Sequence, residues 1–148
     1  GASLEPGSII RVPMQWLKQQ PKPAKALSIS GSAQIKRTKN TSFKVLKANT
    51  LIYVGDEVAT KNGTLLIKLA DNSLIRLEKD SNLIFNKLSH YGKTGMVDTQ
   101  LRLKKGSLST DVTPLVKGSS YEITTPSAVA AVRGTKFRLE ASANETKL

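Results

Sequence analysis

From residue 27 onward, the strand-like segments are mostly only three to five residues long, Gly, Asn, Asp and Ser supply the breaks, and no stretch of ten holds a 3.6-residue period. Runs so short cannot bury a helical stripe, but they suit half-buried strands between turns, so the main domain is expected to be all-β. Candidate strands are residues 27–30, 33–35, 43–46, 51–54, 65–69, 74–77, 83–85, 101–103, 121–124 and 137–139. Hydrophobic residues are 39% of the 148, enough to enclose one core and too many for a disordered chain. No run nears the roughly 18 consecutive apolar residues of a membrane-spanning helix.

Three nine-residue units, 64–72, 73–81 and 82–90, align without gaps. They bring Leu65, Leu74 and Leu83 into one column, Leu66, Ile75 and Ile84 into the next, and Ile67, Arg76 and Phe85 into a third. Each unit is a short strand with a polar turn. Such units suit a tight meander or the rungs of a β-solenoid, giving a β-solenoid-like or twisted β-sandwich domain, and either way the columns are expected to stack as apolar ladders.

The N-terminal residues have a different texture. Pro6-Gly7 marks a turn, Ile9, Ile10 and Val12 favour a short strand, and Pro13 suits the first turn of a helix running to Gln20 before Pro21 stops it. Trp16 is the expected anchor of that helix on the domain. Pro21, Lys22, Pro23 and Lys25 read as an extended basic linker. The expected organisation is an appendage at 1–20, a linker at 21–26, a β domain at 27–141 and a tail at 142–148.

Composition removes most chemistry. The chain has no cysteine and one histidine, His90, so disulfides, thiolate metal sites, cysteine nucleophiles and two-His motifs are absent. No catalytic residue, metal or cofactor is expected. Gly92-Lys93-Thr94 looks like the end of a phosphate-binding loop, but Lys87 stands where that loop needs its first glycine. Asp56 and Glu57 are adjacent, so on a strand they face opposite sides and cannot flank a scissile bond. Asp56 is better suited to accepting backbone N–H groups in the turn after Gly55.

The formal charge is +12, unevenly spread: nine Lys/Arg stand against Glu5 in residues 1–50, six against six acids in 51–100, and eight against four in 101–148. Lys36, Arg37 and Lys39, with Lys44 and Lys47, form the run with most claim to an anionic partner. Aromatic residues at 5% leave little for base stacking, which disfavours nucleic acid.

Several separated blocks resemble one family. Gly55-Asp56-Glu57-Val58-Ala59-Thr60, the Gly63-to-Ser73 segment ending in Asp71-Asn72-Ser73, Ser81-Asn82-Leu83, Leu101 to Leu108 with Gly106, and Thr125-Pro126 through Arg133-Gly134-Thr135 to Phe137 are similar, in order and spacing, to a FecR domain over about residues 28–140. Asn72 replaces the usual glycine of D-G-S, and Lys79-Asp80 replaces a proline-containing step. Leu4 to Leu17 is similar to the last strand of a LysM module passing into such a domain. The resemblance implies structural roles for Gly55, Asp56, Thr60, Asp71, Ser73, Ser81, Gly106, Thr125, Pro126 and Phe137.

It also implies a non-enzymatic, exported module of the periplasm or cell envelope that senses signals, with an envelope protein, peptidoglycan or another anionic polymer as partner. Arg133, Gly134 and Thr135 have two readings: an anion or partner site, or a partly buried guanidinium satisfying loop acceptors beside a strained glycine. The alternative from another class is a basic, nucleic-acid-binding β-domain of the oligonucleotide-barrel type. An envelope hydrolase has only scattered carboxylates behind it.

Overall fold

The structure, a computed structural model, describes residues 19–91, 96–111, 119–131, 136–141 and 146–147. These residues form fourteen strands and no helix: β1 Gln19–Pro21, β2 Ala24–Ser30, β3 Ala33–Lys36, β4 Lys44–Val45, β5 Leu51–Ile52, β6 Glu57–Thr60, β7 Thr64–Lys68, β8 Leu74–Leu77, β9 Asn82–Tyr91, β10 Met96–Asp111, β11 Ser120–Thr124, β12 Val129–Ala131, β13 Lys136–Ala141 and β14 Thr146–Lys147. The main path across the sheet is β4-β3-β6-β9-β10-β8-β7-β2-β5.

That order is nested about β10. The outermost strands β4 and β5 are consecutive in sequence, as are β2 and β3, β6 and β7, and β8 and β9. Each pair joins opposite halves of the path through two to five residues, so the sheet curls and brings the two halves face to face. Strand β10 serves both: Met96 to Lys105 pairs with β9, then Gly106 to Asp111 pairs with β13 and, from Leu108, with β8. Gly106 sits at the change of partner with φ +93°, a backbone that side chains resist.

Two more glycines let the corners cross. A β-carbon on Gly31 would lie 2.7 Å from the Asn62 carbonyl oxygen, and one on Gly63 would lie 2.0 Å from the Ser30 carbonyl oxygen. Between the halves, alternate residues point inward: Ile35, Val58, Leu83, Phe85, Leu101 and Ile123 from one, and Ile52, Leu65, Ile67, Ile75, Leu77, Leu108 and Leu139 from the other.

The all-β expectation holds, and the structure corrects its details. The helix ending at Gln20 is not formed there: Gln19–Pro21 is an edge strand paired antiparallel with β9, where proline's missing donor costs no ladder bond. Trp16 and the LysM-like residues 4–17 lie outside the described residues. Ala24, Lys25 and Ala26, expected in the linker, open β2, with both alanines fully buried. Thr146–Lys147, expected in the tail, pairs with β13.

The solenoid is also overturned. Strands β7 and β8 are antiparallel, setting Leu65 opposite Leu77 and Ile67 opposite Ile75, and β9 is separated from β8 by β10. The first and third units therefore bury their second and fourth residues, whereas the middle unit buries its third and fifth. A one-residue shift sends every side chain to the other face, so the columns are similar in sequence without being stacked.

Candidate functional site beside the basic segment

The acidic pair and the basic run answer each other. Asp56 and Glu57 are both buried, at 2% and 4% exposure. Arg37 Nη1 lies 2.7 Å from Asp56 Oδ2 and also donates to the Leu51 carbonyl at 2.8 Å. The N–H groups of Tyr53 (2.9 Å) and Thr38 (3.2 Å) donate to the same carboxylate. Glu57 meets Lys36 Nζ at 3.6 Å and Lys104 Nζ at 3.5 Å, and accepts from Asn82 Nδ2 at 2.8 Å. A buried carboxylate without such donors is strongly unfavourable, so Lys36 and Arg37 are committed to neutralising these two. Of the basic run, Lys39, Lys44 and Lys47 are exposed and make no ion pair among the described residues.

The remaining motif residues build corners and turns. The Thr60 hydroxyl donates to the Glu78 carbonyl and accepts the Ser81 N–H at 3.1 Å. Ser81 Oγ donates to the Lys79 carbonyl at 3.0 Å and accepts the Ser107 N–H at 3.0 Å, against the face of Gly106. Gly55, at φ +91°, packs on Thr38, whose hydroxyl donates to the Val54 carbonyl at 3.0 Å. Asp71 Oδ1 accepts the Ser73 N–H at 3.0 Å across Asn72, which takes φ +70°. Thr125 Oγ1 accepts the Ala128 N–H at 3.1 Å, with Pro126 exposed in the turn between. Phe137 lies on β13. Arg133, Gly134 and Thr135 lie outside the described residues, and His90 is on β9.

What these commitments leave accessible is a groove of about 430 Å³ on the outer face of the first half-sheet. Cross-strand register lines up Val45 on β4, Gln34 on β3, Ala59 on β6, Asn82 on β9 and Lys105 on β10. Ala59 is the smallest of the row and makes the low point; Phe43, Lys61 and Asp80 are among the other lining residues. Lys36 Nζ stands 5.3 Å from the centre of the Phe43 ring, tying this wall to the Glu57 cluster. Val45 is 73% exposed on a two-residue strand whose outer side carries no partner among the described residues. An apolar contact beside a free backbone edge suits an added strand from another chain.

Sequence reasoning overlooked this groove because its residues are individually unremarkable. One signal was available, the apolar Val45 between Lys44 and Leu46 in a short run with little to cover it. A family model described as FecR protein matches residues 56–148. No curated protein and no solved structure matches the chain.

Proposed function

This chain belongs to the FecR family, and from that premise we propose that it is a non-enzymatic, signal-sensing module of the bacterial cell envelope that binds a partner protein in the groove beside β4. The family is one of regulatory proteins, which favours recognition over chemistry. The observation that carries the reading is Val45, 73% exposed at an unpaired sheet edge and next to a groove. Covering a valine removes apolar area worth about 1.5 kcal/mol or more, and a strand laid on β4 adds backbone hydrogen bonds. Lys44 beside it on β4, and Lys61 and Lys105 in the groove lining, favour an acidic approach.

The reading of peptidoglycan association rests on the LysM-like residues 4–17, and the family supports an exported location. The test uses the whole chain and its Val45→Asp variant with detergent-solubilised envelope proteins and, separately, with peptidoglycan sacculi. Expected is a discrete protein complex with the parent chain that the variant loses at unchanged melting temperature. Equal complexes with both chains, or retention that depends on sacculi or nucleic acid alone, would overturn the reading.

A further inference from the structure

We propose that the outer face of the second half-sheet carries a separate carboxylate-binding groove that takes an acidic segment of a partner protein, with Arg76 and Arg138 as its two forks. Ser109 on β10 is the register partner of Arg76 on β8 and of Arg138 on β13. Cross-strand neighbours stand about 5 Å apart, so the arginine stems rise roughly 10 Å from each other with a small hydroxyl residue between. The resulting groove holds about 520 Å³, with Leu66 and Leu74 along one side and Asp111 at one end.

Both guanidinium groups are tethered weakly. Arg76 Nε lies 3.5 Å from Glu78 Oε1, just past the end of β8, and Arg138 Nη2 lies 3.2 Å from Glu140 Oε1 on β13, each acid two residues along the chain, and the arginine side chains are 60% and 63% exposed. Exposed pairs of this kind contribute little, so an incoming carboxylate can replace either glutamate at small cost. The planar fork then donates two N–H groups to it.

A second observation in the neighbouring row points the same way. Lys25 on β2 and Lys68 on β7 are direct cross-strand partners, and neither makes an ion pair among the described residues. Like charges so placed repel, and an anion laid across them relieves the repulsion. Leu51 flanks Lys25 and Leu74 flanks Lys68, so the row reads apolar, basic, basic, apolar.

The mixed lining selects a polypeptide. Asp111, Glu78 and Glu140 on the same face repel a uniformly charged polymer, while the half-buried leucines lie too low to enter an acyl layer and suit an apolar side chain beside an acid. This surface is on the opposite half of the sheet from Val45, so its test is independent of the groove beside β4.

The experiment titrates the full chain with the N-acetylated, C-amidated tripeptide Glu-Leu-Glu, its Gln-Leu-Gln counterpart, and phosphatidylglycerol vesicles, following backbone and arginine side-chain N–H resonances. Expected are saturable shifts at Arg76, Arg138 and Ser109 with the acidic peptide. Arg76→Gln and Arg138→Gln should each weaken binding about tenfold, as loss of a charged hydrogen bond does, and Lys79→Gln should leave it unchanged. Equal binding of the glutamine peptide, no saturable shift at these residues, or vesicle binding that the acidic peptide does not displace would overturn the proposal.

Discussion

A β-carbon on Gly106 would lie 2.0 Å from the hydroxyl oxygen of Ser81 and 2.5 Å from its α-carbon, so the bend in β10 and the β8–β9 corner occupy the same space only because residue 106 lacks a side chain. The contact fastens the two half-sheets where β10 passes between them. Gly106→Ala combines a left-handed backbone with a clash that cannot be relieved by a rotamer. We expect a loss of about 3 kcal/mol or more in urea unfolding. Ser81→Ala, which strips the acceptor from the Ser107 N–H and the donor from the Lys79 carbonyl, should lose about 1–2 kcal/mol.

The Arg37–Asp56 pair makes a second, graded prediction. Asp56→Ala strands the N–H groups of Tyr53 and Thr38 together with the guanidinium, and should lose about 3 kcal/mol. Arg37→Ala should lose less, about 1–2 kcal/mol, because its side chain is 38% exposed and water replaces part of the interaction. Lys39→Ala should stay within about 0.5 kcal/mol of the parent. Denaturant midpoints of the three variants rank them directly.

Asn72 tests how a departure from the family pattern is tolerated. At φ +70° it holds the turn between β7 and β8. Asn72→Ala should cost about 1 kcal/mol and Asn72→Gly less than about 0.5, since only alanine brings the β-carbon penalty without a compensating side-chain contact. Thermal melts of both variants decide it.

Alkaline stability depends on Tyr121. Its phenol is 2% exposed; burial pushes its ionisation well above the ordinary 10.0, partly offset by the hydrogen bond with Thr110 Oγ1 at 3.2 Å. The folded state therefore keeps the proton that the unfolded state releases above pH 10. Stability is intact below that pH and falls as the pH rises further. In Tyr121→Phe the slope of unfolding free energy against pH above 10 should be shallower by one proton, measured by urea unfolding at a series of alkaline pH values.

The strand content was legible because it depends on local pattern, whereas connectivity was not. Residues 65–69 and 74–77 announce themselves by apolar density, and the register that pairs Leu65 with Leu77 comes from the turn at Asp71 and Asn72. Strand β6 was overlooked since Glu57 interrupts its apolar pattern, and only Lys36, twenty-one residues earlier, together with Asn82 and Lys104 makes that glutamate buriable. Strand β10 was read as residues 101–103 because Lys104, Lys105 and Gly106 look like a terminus; in the fold they are a bulge and a bend. The same cause hid the groove, whose lining is gathered from β3, β4, β6, β9 and β10 and has no contiguous signature.

The central claim is that recognition lies at the β4 edge while the motif residues hold the corners. Site-specific photocrosslinking from position 45, inside cells producing the protein, tests it most directly. A discrete adduct with one envelope protein at position 45, undiminished by nuclease and absent when the crosslinker stands at exposed Lys79, is the expected result. No adduct above the position-79 background, or adducts only with glycan strands or nucleic acid, would contradict the account.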